Sequence, residues 1–102
     1  MDGAQFEFEA DVWLHQGEAA WHFVTVPGDI SDEIRARTAL DGRAFGTVPA
    51  TVSIGKTSWS TSLFTDTQRD AYLIPIKAQV RRAEQLADGD VARLTVTLDD
   101  DR

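Results

Sequence analysis

A short apolar strand that ends at a proline and is followed by an amphipathic helix occurs twice in this chain. The first copy is WHFVTVP at residues 21–27 with a helical pattern at residues 30–38, and the second is YLIP at residues 72–75 with a helical pattern at residues 76–86. Proline ends a strand ladder and fits a first helical turn, so each unit is also a common local arrangement. Aligning the copies requires a two-residue insertion after Pro27, and true duplication stays open. The repeat predicts one strand-dominated domain, with an internal pseudo-two-fold axis as a possibility, and carries no chemistry by itself.

Residues 5–14, 48–54 and 91–98 show the alternation of apolar and polar residues that is typical of half-buried strands. In the first segment Phe6, Phe8 and Val12 share one face, and acidic residues lie on the other. The predicted strands are residues 5–14, 21–26, 48–54, 57–64, 71–74 and 91–98. The first two strands are expected to pair as a hairpin, and a tight turn at Gly55 and Lys56 joins the third to the fourth. In the second helix one apolar stripe is predicted to be buried, formed by Ile76, Val80, Ala83 and Ala87.

The chain has 102 residues and no cysteine. This size predicts a single domain over residues 1–102 that is stabilised by packing rather than by disulfides. We expect a core at residues 5–98 and a solvated acidic tail at residues 99–102. No stretch reaches the roughly 18 apolar residues that a membrane span needs, and the first five residues are acidic and polar, unlike a signal peptide. These features predict a soluble, cytoplasmic protein with no membrane partner.

Net charge restricts the partners of this protein. Ten Lys and Arg against 17 Asp and Glu leave a net charge of −7. This charge repels a phosphate backbone at long range, which argues against nucleic acid. Three of the acids form the run at residues 99–101, and without them the net charge is −4. A local basic face therefore stays open.

Histidine and serine give little support for metal binding or nucleophilic catalysis. His15 and His22 are the only histidines, whereas a metal site needs three or four convergent donors. Ser58, Ser60 and Ser62 form a hydroxyl row on one strand, but a serine nucleophile needs a positioned base and is usually held at a strained turn. We expect no metal and no cofactor, and we interpret these side chains as ordinary turn and sheet residues.

Three acidic residues on the first strand are the remaining candidates for catalysis. Glu7, Glu9 and Asp11 alternate along one face, which places successive carboxylates about 7 Å apart. Such a spacing is compatible with paired acid and base roles. A plain solvated face explains it at least as well, and we expect no enzyme activity, although that question stays open.

The second helix carries the cluster of greatest interest. Lys77 and Arg81 are one helical turn apart, and Arg82 follows. Like charges at this spacing cost a few tenths of a kcal/mol, a cost that an anion or an acidic partner can offset. The alternative, which we favour, is that Glu84 or acids of a neighbouring strand neutralise the cluster.

Three tryptophans are many for a chain of this length. Trp21 and Trp59 lie on predicted barrel strands, where core packing is the usual explanation. Trp13 lies on the polar face of the first strand, and an exposed indole there would mark a binding surface. Packing under a loop is the alternative that we favour for Trp13.

The chain as a whole resembles a bacterial family known as domain of unknown function 1905. The resemblance spans residues 5–98 and is carried by six segments: FEFE at 6–9, WHFVTVP at 21–27, FGTV at 45–48, TSWSTSLF at 57–64, YLIPIK at 72–77 and GD at 89–90. It implies a small, mostly β, double-split pseudo-barrel of about six strands with two short helices. Some members are fused to a helical domain associated with bacteriocin protection. The family has no established activity to carry over.

Residues 72–98 separately resemble one protomer of the AbrB-type swapped-hairpin transcription factors and antitoxins. The matching pairs are Ile74-Pro75, Arg81-Arg82 and Gly89-Asp90. Those proteins are dimers that bind DNA through a basic surface, so the resemblance implies a DNA-binding regulator. The acidic net charge and the single arginine in residues 65–70 argue against that role.

Together these features predict a non-catalytic binding or interaction module. Its partner would be a small anionic ligand or a protein. The expected site is the barrel end where Lys77 and Arg81 meet Trp59 and Tyr72, with the cations for an acidic group and the rings for an apolar one. A chain that holds both halves covalently can close its core as a monomer.

Overall fold

The computed structural model describes residues 4–17, 21–40 and 47–99. Its elements are β1 (Gln5–His15), β2 (Trp21–Thr25), α1 (Gly28–Leu40), β3 (Val48–Ile54), β4 (Thr57–Asp66), β5 (Ala71–Pro75), α2 (Ala78–Glu84) and β6 (Val91–Leu98). All six predicted strands and both predicted helices are therefore confirmed. The acidic tail beyond residue 99 lies outside the described residues.

The six strands form a closed antiparallel barrel in the order β1-β2-β5-β4-β3-β6. The two longest strands each divide their pairing between two neighbours. β1 pairs with β6 up to Asp11 and with β2 from Val12 onward, and β4 pairs with β3 up to Leu63 and with β5 from Phe64 onward. The predicted mostly β barrel with two short helices is confirmed, as are both predicted hairpins.

The barrel has the connectivity of two equivalent halves. Exchanging β1 with β4, β2 with β5 and β3 with β6 leaves the order of strands around the ring unchanged. Two backbone hydrogen bonds exchange in the same way, because the Val26 N–H donates to the Tyr72 carbonyl and the Ile76 N–H donates to the His22 carbonyl, both at 2.9 Å. The possible pseudo-two-fold repeat is therefore visible in the topology.

The two strand-helix units superpose in a different register from the one obtained by aligning Pro27 with Pro75. β2 and α1 begin at Trp21 and Gly28. β5 and α2 begin 50 residues later, at Ala71 and Ala78, so no insertion is needed between the strand and the helix of either copy. Pro75 is the last residue of β5 and pairs with Phe23, whereas Pro27 lies beyond the end of β2. The alignment of one proline on the other was wrong, because the hydrogen-bonded ladder and not the proline sets where each strand ends.

Alternate residues of the strands fill the barrel interior. In β3 these are Val48, Ala50, Val52 and Ile54, and they meet inward residues of the other strands such as Phe8, Val12, Val24, Leu63, Ile74, Leu94 and Val96. Each helix adds apolar side chains to this core, among them Ile34 from α1 and Val80 from α2. Burial of these side chains is the main stabilising contribution, since the chain has no cross-links.

The buried stripe predicted for the second helix is only half right. Ile76 and Val80 are buried, but Ala83 is exposed and α2 ends at Glu84. Gln85 adopts a left-handed backbone conformation with φ 55°, which terminates the helix. The chain then turns so that Leu86 packs against the core, a position that helical periodicity does not anticipate.

Candidate functional site

A cleft of about 230 Å³ lies where β2, the end of β5 and the start of α2 meet. The Ile76 N–H donates to the His22 carbonyl at 2.9 Å and so holds the segment between β5 and α2 against β2. The cleft is lined by Trp21, His22, Pro75, Ile76, Lys77, Ala78 and Arg81. It combines an aromatic wall with two cationic side chains. We call this site the cationic cleft.

The two cations of the cationic cleft come from successive turns of the chain. The Arg81 N–H donates to the Lys77 carbonyl at 3.0 Å, which fixes the two residues one turn apart. The Arg81 Nε donates to the Ile76 carbonyl at 3.2 Å and so positions the guanidinium beside the cleft. No ion pair joins either residue to an acid in residues 4–17, 21–40 or 47–99.

The predicted neutralisation of this cluster by Glu84 is wrong. The Glu84 carboxylate instead accepts hydrogen bonds from the Thr57 Oγ1 at 2.6 Å and the Lys56 N–H at 3.3 Å. Glu84 therefore ties α2 to the turn between β3 and β4. Sequence separation favoured Arg81 as its partner, but the packing of α2 beside β4 gives Glu84 closer partners.

Trp21 lies outside the core, contrary to the prediction. Its side chain is 48% exposed, because Val24 points into the barrel and Trp21, at the opposite parity, points outward. The Trp21 ring stacks on Phe23 with centroids 5.8 Å apart. The neighbouring His22 has a buried Nδ1 without a hydrogen-bond partner among the described residues.

The other two predicted site residues do not line the cationic cleft. Tyr72 is only 6% exposed and belongs to the core cluster. Trp59 is half-buried against the same core, as predicted, and its buried Nε1 has no hydrogen-bond partner in the described part of the chain. The structure thus brings Lys77 and Arg81 together with Trp21 and His22, which the sequence did not single out for this site. The sequence carries no clear signal for Trp21, because both faces of β2 bear apolar side chains.

Trp13 packs beneath a loop, the alternative that the sequence favoured. Its Nε1 donates to the Thr25 Oγ1 at 2.9 Å, and the Arg69 guanidinium lies 4.3 Å from its ring centroid. Arg69 also donates to the Asp66 carboxylate at 2.6 Å. That hydrogen bond is the main reason why the pKa of Asp66 is lowered, with backbone N–H donors contributing and burial opposing. Trp13, Phe23, Asp66 and Arg69 line a second groove, of about 440 Å³.

The acidic face of β1 is a solvated surface. Arg93 of the neighbouring strand β6 lies 3.4 Å from the Glu7 carboxylate and 3.6 Å from that of Glu9. Ser58 shares a hydrogen bond of 2.7 Å with Ser53, and no basic side chain of the described residues is bonded to it. Within the described ranges, no group of three or more His, Cys, Asp or Glu side chains is placed to hold a metal ion.

A protein-family model described as Domain of unknown function (DUF1905) matches residues 8–96. The chain belongs to this family. The DUF1905 match begins within β1 and ends within β6, so it includes most or all of every strand of the barrel. The family match does not confirm the separate resemblance of residues 72–98 to the AbrB-type proteins. No curated protein matches the chain. Neither helix described for this DUF1905 domain is long and apolar enough to cross a membrane.

Proposed function

We propose that this DUF1905 domain is a non-catalytic binding module whose ligand joins an anionic group to an aromatic or apolar group. The cationic cleft is the binding site. The observation that carries the proposal is that Lys77 and Arg81 face the cleft with no acidic partner among the described residues. A carboxylate or phosphate placed between them supplies that partner.

The chemistry of the cationic cleft supports a ligand of this kind. Two like charges one turn apart repel each other, and a bound anion converts that repulsion into two charge-assisted hydrogen bonds. The exposed Trp21 ring provides an adjoining aromatic surface, on which a planar group stacks. The volume of about 230 Å³ suits one ring and one charged group rather than a large cofactor.

We further propose that the module acts as a monomer in the cytoplasm. The six described strands close a barrel within one chain and leave no open sheet edge for a second copy. The sequence contains no cysteine, which fits a reducing compartment.

The test uses benzoate as the anionic ring and benzyl alcohol as its neutral counterpart, with binding followed by NMR shifts of the Trp21 indole N–H. Benzoate is expected to bind more tightly than benzyl alcohol, and the double variant Lys77→Ala/Arg81→Ala is expected to bind benzoate at least tenfold more weakly. Arg82→Ala is the matched control, because Arg82 neighbours Arg81 on α2 and does not line the cleft. Unaltered benzoate binding in the double variant, or no binding to the wild type, would contradict the proposal.

A further inference from the structure

A continuous line of aromatic rings leads away from the cationic cleft. The Trp21 ring, which lines the cleft, is parallel to the Phe23 ring within 16° at 5.8 Å. Phe23 in turn lies 5.3 Å from the Trp13 ring. These three rings share the outer face of the β1–β2 hairpin, since Trp13 pairs directly with Phe23. We call Trp21, Phe23 and Trp13 the aromatic row.

The charges along this surface are asymmetric. At the cleft end, Lys77 and Arg81 have no acidic partner among the described residues. At the far end, Arg69 lies over Trp13 but is paired with Asp66 at 2.6 Å. Among the described residues, uncompensated positive charge is therefore found at the cleft end of the row and not at the Trp13 end. The surface is complementary to a ligand with one anionic end and a neutral, apolar body.

This charge pattern favours a peptide over a nucleic acid. A single-stranded nucleic acid also stacks on aromatic rings, but it carries a charge at every nucleotide. The net charge of −7 repels such a chain, while a peptide needs to bring only one carboxylate. The row continues past the cleft to Phe23 and Trp13, neither of which lines the cleft, so a ligand that covers both must be extended.

The barrel also restricts how a peptide can bind. The described strands form a closed ring, so an extended peptide has no sheet edge to join and must be held by its side chains. Aromatic grooves bind proline-rich peptides in this way. The aromatic row leaves the cleft on its Trp21 side. A peptide whose single charge is at its end matches a surface with cations in the cleft and neutral rings beside it.

Building on the proposed function, we propose that the ligand is the carboxyl terminus of a polypeptide. Its terminal carboxylate binds between Lys77 and Arg81, and the apolar or proline residues before it pack on Trp21 and Phe23 and extend toward the groove that Trp13 and Arg69 line. Phe23, at the centre of the row, therefore contributes to peptide binding but not to the binding of a single anionic ring.

The test measures binding of the peptide acetyl-Pro-Trp-Pro-Phe with a free carboxylate, of the same peptide as its amide, and of benzoate. The amide is expected to bind at least tenfold more weakly than the free acid. Phe23→Ala is expected to weaken peptide binding at least fivefold and to change benzoate binding less than twofold. Phe64→Ala is the matched control, since Phe64 is 36% exposed on β4 and lies outside the row. Phe23→Leu keeps apolar bulk without the ring and is expected to behave as Phe23→Ala does if the alanine variant fails to fold.

The outcomes separate this inference from the proposed function. Benzoate binding together with equal affinity for the acid and amide peptides overturns the inference and leaves the proposed function standing. The same holds if Phe23→Ala and Phe23→Leu both bind the peptide as the wild type does. Failure of both benzoate and peptide to bind overturns both proposals. Tighter, salt-dependent binding of a single-stranded oligothymidylate than of the peptide overturns the inference in favour of nucleic acid.

Discussion

The hydroxyl of Ser31 completes a ladder of hydrogen bonds that the backbone alone leaves open. The Val26 N–H donates to the Tyr72 carbonyl at 2.9 Å, and in a regular antiparallel pair the Tyr72 N–H would return a bond to the Val26 carbonyl. Instead the Tyr72 N–H donates to the Ser31 Oγ, which itself donates to the Val26 carbonyl, each at 3.1 Å. Ser31 is fully buried, so this relay is shielded from water.

Ser31→Ala is therefore expected to destabilise the protein. A buried backbone group left without its partner costs about 1–3 kcal/mol. Alanine recovers a few tenths of a kcal/mol through its higher helix propensity in α1. We expect a net loss of about 1.5 kcal/mol in the free energy of unfolding, which for a domain of this size lowers the melting temperature by about 6–12 °C.

Urea unfolding and thermal melts measure this loss, and hydrogen exchange locates it. The Tyr72 amide is expected to exchange faster in Ser31→Ala, beyond the change in global stability. Ser58→Ala is the matched control, because the Ser58 hydroxyl is bonded to Ser53 on the exposed side of the hairpin. The control is expected to change stability by about 0.5 kcal/mol or less. Equal stability of Ser31→Ala and Ser58→Ala, with Tyr72 still protected, would show that the two strands close the gap directly and would refute the relay.

Two further predictions concern the turn at Gly55 and the pKa of Asp66. Gly55 has φ 57°, and a Cβ there would overlap the Glu84 carboxylate. Gly55→Ala is therefore expected to lower the free energy of unfolding by about 2 kcal/mol in the wild type. In a Glu84→Ala background only the backbone strain remains, and the expected loss is about 1 kcal/mol. Equal costs in a double-mutant cycle of urea unfolding would contradict this contact. The lowered pKa of Asp66 implies that its stabilising effect is present above the unfolded-state pKa and is lost as pH falls through the folded-state pKa. NMR titration should show the pKa of Asp66 rising toward its usual value in Arg69→Ala, and an unchanged pKa would rule out Arg69 as the main cause.

Local periodicity was sufficient to predict the barrel strands. The alternation in β3, with Val48, Val52 and Ile54 on one face, is read directly from the sequence because successive side chains of a strand point to opposite faces. The turn at Gly55 is equally local, since it requires a positive φ that glycine adopts without penalty. The position of Lys77 one turn from Arg81 also follows from the sequence alone.

The partners of side chains could not be predicted in the same way. Glu84 is three residues from Arg81 but binds the turn at Lys56 and Thr57, because packing of α2 against β4 brings that turn within reach. Such a choice depends on contacts between residues far apart in the sequence. The end of α2 at a left-handed Gln85 is a similar case, since the helical pattern continued beyond it.

At the candidate site, too, some features follow from the local sequence and others depend on tertiary packing. The sequence by itself determined six strands, two helices and a pair of cations at the second helix. Only the tertiary structure decided that Trp21, and not Trp59 or Tyr72, accompanies those cations. A period of two specifies which residues share a face of a strand, but Trp21 and Val24 lie on opposite faces that are both apolar. Closure of the barrel chose the face with Val24 as the inside, and Trp21 was thereby left on the surface beside Lys77 and Arg81.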